Sequence, residues 1–187
     1  MRIISGIQKG RRLLTPKNKS IRPTSDRVKE SIFNILGDAV EGKIVLDLFA
    51  GTGNLGIEAL SRGAKRVVFV EKGREAIRLI EKNLSLCGFK LNSEIIPKDV
   101  HRAIGILKIR GEFFDLIIID PPYEKGLIQM TLKKLQSERI YHDNSLLIIE
   151  HNRRELLPDP TIGWELIKQK KIGETLISFL VPSDKEN

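Results

Sequence analysis

The stretch KIVLDLFAGTGNLGIEALSRG, residues 43–63, decides how the rest of the chain is read. An apolar, β-branched run meets an acid, three glycines follow, and an apolar periodic segment closes at Gly63. That order predicts a strand over 43–49, a tight turn, and a helix beginning near residue 55. Gly51, Gly53 and Gly56 satisfy the G-x-G-x-x-G fingerprint, whose glycines let the backbone turn sharply and approach a ligand closely. Glu71 ends the next apolar run, 20 residues beyond Gly51, where a carboxylate accepts hydrogen bonds from a ribose diol. These features serve NAD and any other adenosine-bearing cofactor equally. Asp47 separates them. At the strand's end, ahead of the glycines, it repels a pyrophosphate and attracts a ligand carrying an ammonium and a sulfonium. S-adenosylmethionine is such a ligand.

Outward from this stretch, strands and helices alternate. Strands are expected at 66–72, 93–99, 113–120 and 144–151, and helices at 74–88, 100–109 and 127–137. Upstream, RPTSDRVKESIFNIL reads as a helix with Ser25 and Asp26 at its start and Val28, Ile32, Ile35 and Leu36 on one face. The rhythm breaks at WELIKQKKIGETLISFLVP, which alternates around Ile172, Gly173 and Glu174 with no room for a helix. The expected fold is α/β: a Rossmann-like, mostly parallel sheet of seven strands with a C-terminal antiparallel hairpin.

A second stretch, DLIIIDPPYEKG at 115–126, ends a buried strand on an acid, two prolines and a tyrosine. Neither proline offers an N–H, so the ladder stops at Asp120 and a stiff loop begins at the strand's carboxyl end. Ligands bind at that edge of open α/β sheets. An exocyclic amine on a nucleobase is a poor nucleophile, because its lone pair is delocalised into the ring. Asp120 and the Pro121 carbonyl are acceptors that hold such an amine and favour charge development at nitrogen. Tyr123 offers a ring on which a flipped base stacks. Asp99 suits an adenine amino group; taken alone such a residue is more often a helix N-cap, and the two roles can coexist.

Composition narrows the setting. The chain has 187 residues, is 41% hydrophobic and carries a net charge of +8. Residues 1–29 hold nine basic side chains against Asp26 alone, so the remainder is neutral. Residues 1–22 therefore read as a basic arm, with 23–187 as the catalytic domain. Arg2, Lys9, Arg11, Arg12, Arg22 and Arg27 are the candidate contacts to a polyanion. The apolar pairs Ile3-Ile4 and Leu13-Leu14 suggest that the arm folds back onto something. No apolar run approaches the ~20 residues of a membrane span. No signal-like h-region opens the chain, and the single Cys87 fits a reducing compartment, so a cytoplasmic location is expected.

VLDLFAGTGNLGIEALSRGA, DPPY, RPTSDRVKESIFNIL and the opening MRIISGIQKGRRL together resemble the RsmD-type 16S ribosomal RNA guanine-N2 methyltransferases. The likeness runs over nearly the whole chain, and its specific part is the arm with the RPT-DRV-E segment. It implies a class I methyltransferase fold and methyl transfer from S-adenosylmethionine to one guanine of 16S rRNA. The implied substrate is that rRNA or a small-subunit assembly particle; a monomer is expected, although the residues leave the oligomeric state open. The glycine loop and DPPY alone also fit adenine-N6 methyltransferases. The resemblance assigns Asp47 and Phe49, Ala50, Gly51, Thr52 and Gly53 to the cofactor. It gives Glu71 and Lys72 to the ribose side, Asp99 and Val100 to the adenine side. Asp120, Pro121, Pro122 and Tyr123 are assigned to catalysis. Asn54 departs from the small residue common at that position, and no effect on the site is expected from it.

Other residues carry less. His101, His142 and His151 have no metal-ligand spacing with Cys87 or one another, so no metal is expected. Trp164 reads as core. Arg153 and Arg154 follow the fifth strand near the active edge, where a phosphate contact and a solvated turn are both compatible with them.

Overall fold

The computed structural model describes residues 1–16, 25–122, 126–155, 157 and 163–183. Seven strands form one sheet in the order β3-β2-β1-β4-β5-β7-β6. They are β1 (Ile44–Leu48), β2 (Arg66–Val70), β3 (Ser93–Ile96), β4 (Phe114–Ile119), β5 (Tyr141–Asn152), β6 (Trp164–Ile172) and β7 (Thr175–Pro182). The first five pair in parallel, and β7 runs antiparallel to both β5 and β6. The helices are α1 (Asp26–Leu36), α2 (Asn54–Ser61), α3 (Arg74–Cys87), α4 (Val100–Ile109) and α5 (Leu127–Glu138).

The strand alternation that the sequence implies sorts side chains to two faces. Val45, Val67, Phe69, Leu116 and Ile118 pack with α1, α2 and α3. Leu46, Leu48, Val68, Ile117 and Ile119 pack with α4 and α5. Asp47, between Leu46 and Leu48, therefore points into the α2 layer. Gly56 is the third glycine of the fingerprint, and a Cβ there would lie 2.3 Å from the Phe69 ring. It brings α2 flush against the sheet rather than serving a ligand.

Two strand ends differ from expectation for local reasons. β3 stops at Ile96 because Pro97 lacks a donor and the Lys98 N–H folds back to the Ile96 carbonyl at 2.9 Å. β5 starts three residues early, at Tyr141. Ser145 makes that possible: its hydroxyl accepts the His142 N–H and donates to the Phe114 carbonyl, both at 2.7 Å. Trp164 is core, as expected, with its ring tilted against that of Tyr141 and the centroids 4.6 Å apart. Among the described residues no helix is long and apolar enough to cross a membrane.

Candidate functional site

Three carboxylates gather where β1, β2 and β4 end. Asp47 is buried, and its Oδ2 accepts the Gly56 N–H at 3.0 Å. Its carboxyl is pushed up to about 8, first by burial; the Gly56 N–H opposes this, and the charges of Asp120 and Glu71 add to it. A carboxylate with one strong donor and two anionic neighbours is short of positive charge. The donor set therefore fits a cationic ligand.

Glu71 clasps the two turns that frame this space. Its Oε2 accepts the Gly51 N–H at 2.9 Å, while Oε1 accepts those of Lys72 and Gly73 at 2.9 and 2.7 Å. Oε1 thus has both lone pairs engaged, while Oε2 keeps lone-pair capacity for a further donor. The intervening loop is tightly wound. Gly51 and Gly53 adopt positive φ, and so does Phe49, at 62°. A phenylalanine in the left-handed region stores strain of order 1 kcal/mol, a feature that clusters at functional loops and that no sequence motif announced.

Asp120 and Pro121 leave β4 one strand away. Asp120 is half-buried, Pro121 buried and Pro122 exposed. Tyr123 lies outside the described residues. Asp99 is the N-cap of α4, its Oδ1 accepting the Arg102 N–H at 3.1 Å, with Oδ2 facing Arg102 Nε at 3.4 Å. Val100 behind it is buried and Lys72 exposed.

The basic N-terminal segment folds onto the body. Arg2 and Arg12 form an antiparallel bridge, and Ile3 and Leu13 are buried in the α1–α3 layer. Glu58 on α2 docks this hairpin. Its carboxylate accepts the N–H groups of Ile4 and Ser5 at 2.8 and 3.0 Å. Gly6 sits so close that a Cβ would fall 1.7 Å from the Ser61 carbonyl oxygen. Asn83 of α3 then joins hairpin to loop, accepting the Leu14 N–H and donating to the Thr52 carbonyl. Thr52 is accordingly buried, its hydroxyl 3.4 Å from Met1 Sδ.

One charge in the basic count belongs to the core. Lys29 is completely buried, and its ammonium reaches the Arg2 carbonyl, Asn54 Oδ1 at 2.7 Å and Glu58 at 3.3 Å. Burial pulls it below its ordinary value, and Glu58 opposes that shift. The departure at Asn54 thus has a role that sequence reading missed: it meets this buried lysine. Lys9, Arg11, Arg12 and Arg27 are exposed, as is Arg2, although Arg2 faces Asp26 at 3.4 Å and Arg11 donates to the Leu86 carbonyl. Arg22 lies outside the described residues. Among the described residues no His, Cys, Asp or Glu group is arranged to hold a metal ion. Cys87 is buried, which raises its thiol.

The family model described as conserved hypothetical protein 95 matches residues 1–181. YlbH of Bacillus subtilis is 38% identical, over 91% of this chain and 92% of its own length. Ribosomal RNA small subunit methyltransferase D of Escherichia coli is 33% identical over 93% of this chain and 86% of its own. The solved structure of Escherichia coli yhhF superposes with a TM-score of 0.84 at 31% identity, covering 99% of both chains.

Proposed function

Because the chain belongs to the conserved hypothetical protein 95 family, with relatives named ribosomal RNA small subunit methyltransferase D, we propose that it is an S-adenosylmethionine-dependent rRNA methyltransferase. Its target is the exocyclic N2 amine of one guanine in 16S rRNA, presented as RNA or within a small-subunit particle. The enzyme acts as a cytoplasmic monomer, with residues 1–22 as the RNA-gripping arm of a methyltransferase domain at 23–187. The observation that carries this reading is the convergence of Asp47, Glu71 and Asp120 on one electron-rich space beside the glycine loop.

Each residue has a stated task. Asp47 faces the ammonium end of the cofactor, and Phe49, Ala50, Gly51, Thr52 and Gly53 shape its bed. Glu71, with Lys72, takes the ribose, and Asp99, with Val100, the adenine. The cofactor, when bound, supplies an electrophilic methyl on a sulfonium. Asp120 and the Pro121 carbonyl accept the N–H bonds of the guanine amine, which orients its lone pair and stabilises positive charge developing at nitrogen. Pro122 stiffens that loop and Tyr123 stacks the extruded base. Lys9, Arg11, Arg12, Arg22, Arg27 and Arg2 meet phosphates.

The reading is tested by ligand-dependent melting and label transfer together. S-adenosylhomocysteine should raise Tm and NAD should not. Methyl label should pass from the donor into small-subunit rRNA lacking the modification. Stabilisation by NAD, or label that never enters RNA, overturns it.

A further inference from the structure

The turn that follows β5 is built with more care than a solvated turn requires. Asn152 Oδ1 accepts the Arg154 N–H at 2.9 Å, and the Asn152 carbonyl accepts the Glu155 N–H at 3.0 Å. The Arg153 N–H donates to the Glu174 carbonyl at 2.9 Å, and its guanidinium pairs with the Glu174 carboxylate at 2.6 Å. Beneath them His151 is buried. Its Nδ1 lies 2.9 Å from the Glu155 carbonyl and 3.2 Å from that of Asn152, so the ring proton sits on Nδ1. Its Nε2 accepts the Ser178 hydroxyl at 2.9 Å, and Gln169 Nε2 donates to the same hydroxyl oxygen at 2.9 Å. One buried imidazole thus pegs the turn to both strands of the C-terminal hairpin.

Register puts this turn beside the catalytic loop. Ile119 pairs with Ile149, so Pro121 leaves the sheet at the level of His151. His151 pairs with Leu176, and Leu176 with Lys171. Lys171 therefore stands at the same edge as Asp120, three strand spacings away, or about 14 Å. In sheet order the loop after β4 lies between two basic features: the hairpin resting on Thr52 after β1, and the turn after β5. Arg153 and Glu174 neutralise one another. Arg154, Lys170 and Lys171 are exposed, and no carboxylate among the described residues forms an ion pair with them.

We propose that Arg154 and Lys171 form a second grip on the RNA sugar–phosphate backbone, on the flank of the catalytic loop opposite the N-terminal hairpin. The inference rests on the methyltransferase reading and extends it. The peg at His151 holds the Arg154 backbone in place before RNA arrives, so less ordering is left for binding to impose. A guanidinium carried on a pre-placed backbone suits a phosphate, and Lys171 adds less directional charge. Two grips flanking one loop hold the strand across Asp120.

The test is the double variant Arg154→Ala with Lys171→Ala in the full chain, beside Arg154→Lys. Affinity for unmodified 16S rRNA is measured across a range of salt, along with KM, kcat, S-adenosylhomocysteine affinity and Tm. Each lost phosphate contact flattens the slope of log affinity against log salt by about 0.7–0.9. The double variant should flatten it by roughly 1.5 and raise KM for RNA severalfold, with kcat, cofactor affinity and Tm unchanged. Arg154→Lys should keep the wild-type slope. A double variant with wild-type slope and KM rejects the second grip and leaves the enzyme reading standing. A wild-type protein that neither binds nor methylates rRNA rejects both.

Discussion

Asp47 and Glu58 are two buried carboxylates on either side of the same glycine loop, and their surroundings are opposite. Glu58 accepts two backbone N–H groups and faces two cations, Lys29 at 3.3 Å and Arg62 at 2.8 Å. Asp47 accepts the Gly56 N–H, but burial first, and then the charges of Asp120 and Glu71, lift it to about 8. A buried charge whose partners are all present is architecture. One that lacks a countercharge marks a place where a ligand brings it. Glu58 builds the hairpin onto α2, and Asp47, in the proposed reading, meets the cofactor's ammonium at the end of β1.

The largest expected effect breaks the structural half of this pair. Glu58→Ala strands the Lys29 ammonium and two N–H groups in the core. It should cost about 3–5 kcal/mol of stability, a fall in Tm of roughly 6–20 °C. Asp47→Asn should match the wild type near pH 4 and raise Tm at pH 7, because there the unfolded carboxyl is ionised while the folded one must take up a proton. It should also remove a pH dependence. Asp47 takes up a proton more readily folded than unfolded, so its contribution is complete below about pH 4 and lost as pH rises through about 8. Melting curves of the ligand-free proteins across that window should converge at low pH and diverge at high pH. Equal Tm losses for the two variants at pH 7 would erase the distinction.

Asp120→Ala acts on the chemistry instead. A lost preorganised acceptor should slow single-turnover methyl transfer on the order of 10²-fold or more, with cofactor affinity within a few fold. Wild-type rates would remove Asp120 from the mechanism. Glu71→Ala should weaken cofactor binding by roughly 1.5–3 kcal/mol, read by calorimetry, while saturated turnover largely survives. Unchanged affinity would withdraw the ribose assignment.

The smallest effect concerns the N-terminal charge. Deleting the segment confounds two losses, since Ile3 and Leu13 are core and Glu58 would lose its partners. Lys9→Ala with Arg12→Ala keeps the hairpin. It should flatten the salt slope by about 1.4–1.8 units at constant Tm. A constant slope would make this a structural hairpin alone.

The alternation of strands and helices, the mostly parallel sheet and the terminal hairpin were legible because periodicity and turn residues are local signals. So were Asp47, Glu71 and Asp120, which stand at strand ends next to recognisable loops. The Lys29–Glu58–Asn54 cluster was not. Its members lie on α1 and α2, and nothing in a lone lysine amid nine basic residues says that it faces inward. Charge counting included Lys29 in the N-terminal excess, and long cations usually reside at the surface. The His151 peg was hidden for the same reason, since its partners Ser178 and Gln169 arrive from the other two strands of the C-terminal edge.

The most direct measurement is a nucleoside digest of small-subunit rRNA after one turnover with methyl-labelled S-adenosylmethionine, run with the wild-type protein and with Asp120→Ala. The account predicts label in N2-methylguanosine alone for the wild type, formed on the order of 10²-fold more slowly by the variant. Label in N6-methyladenosine, or equal rates from the two proteins, would contradict it.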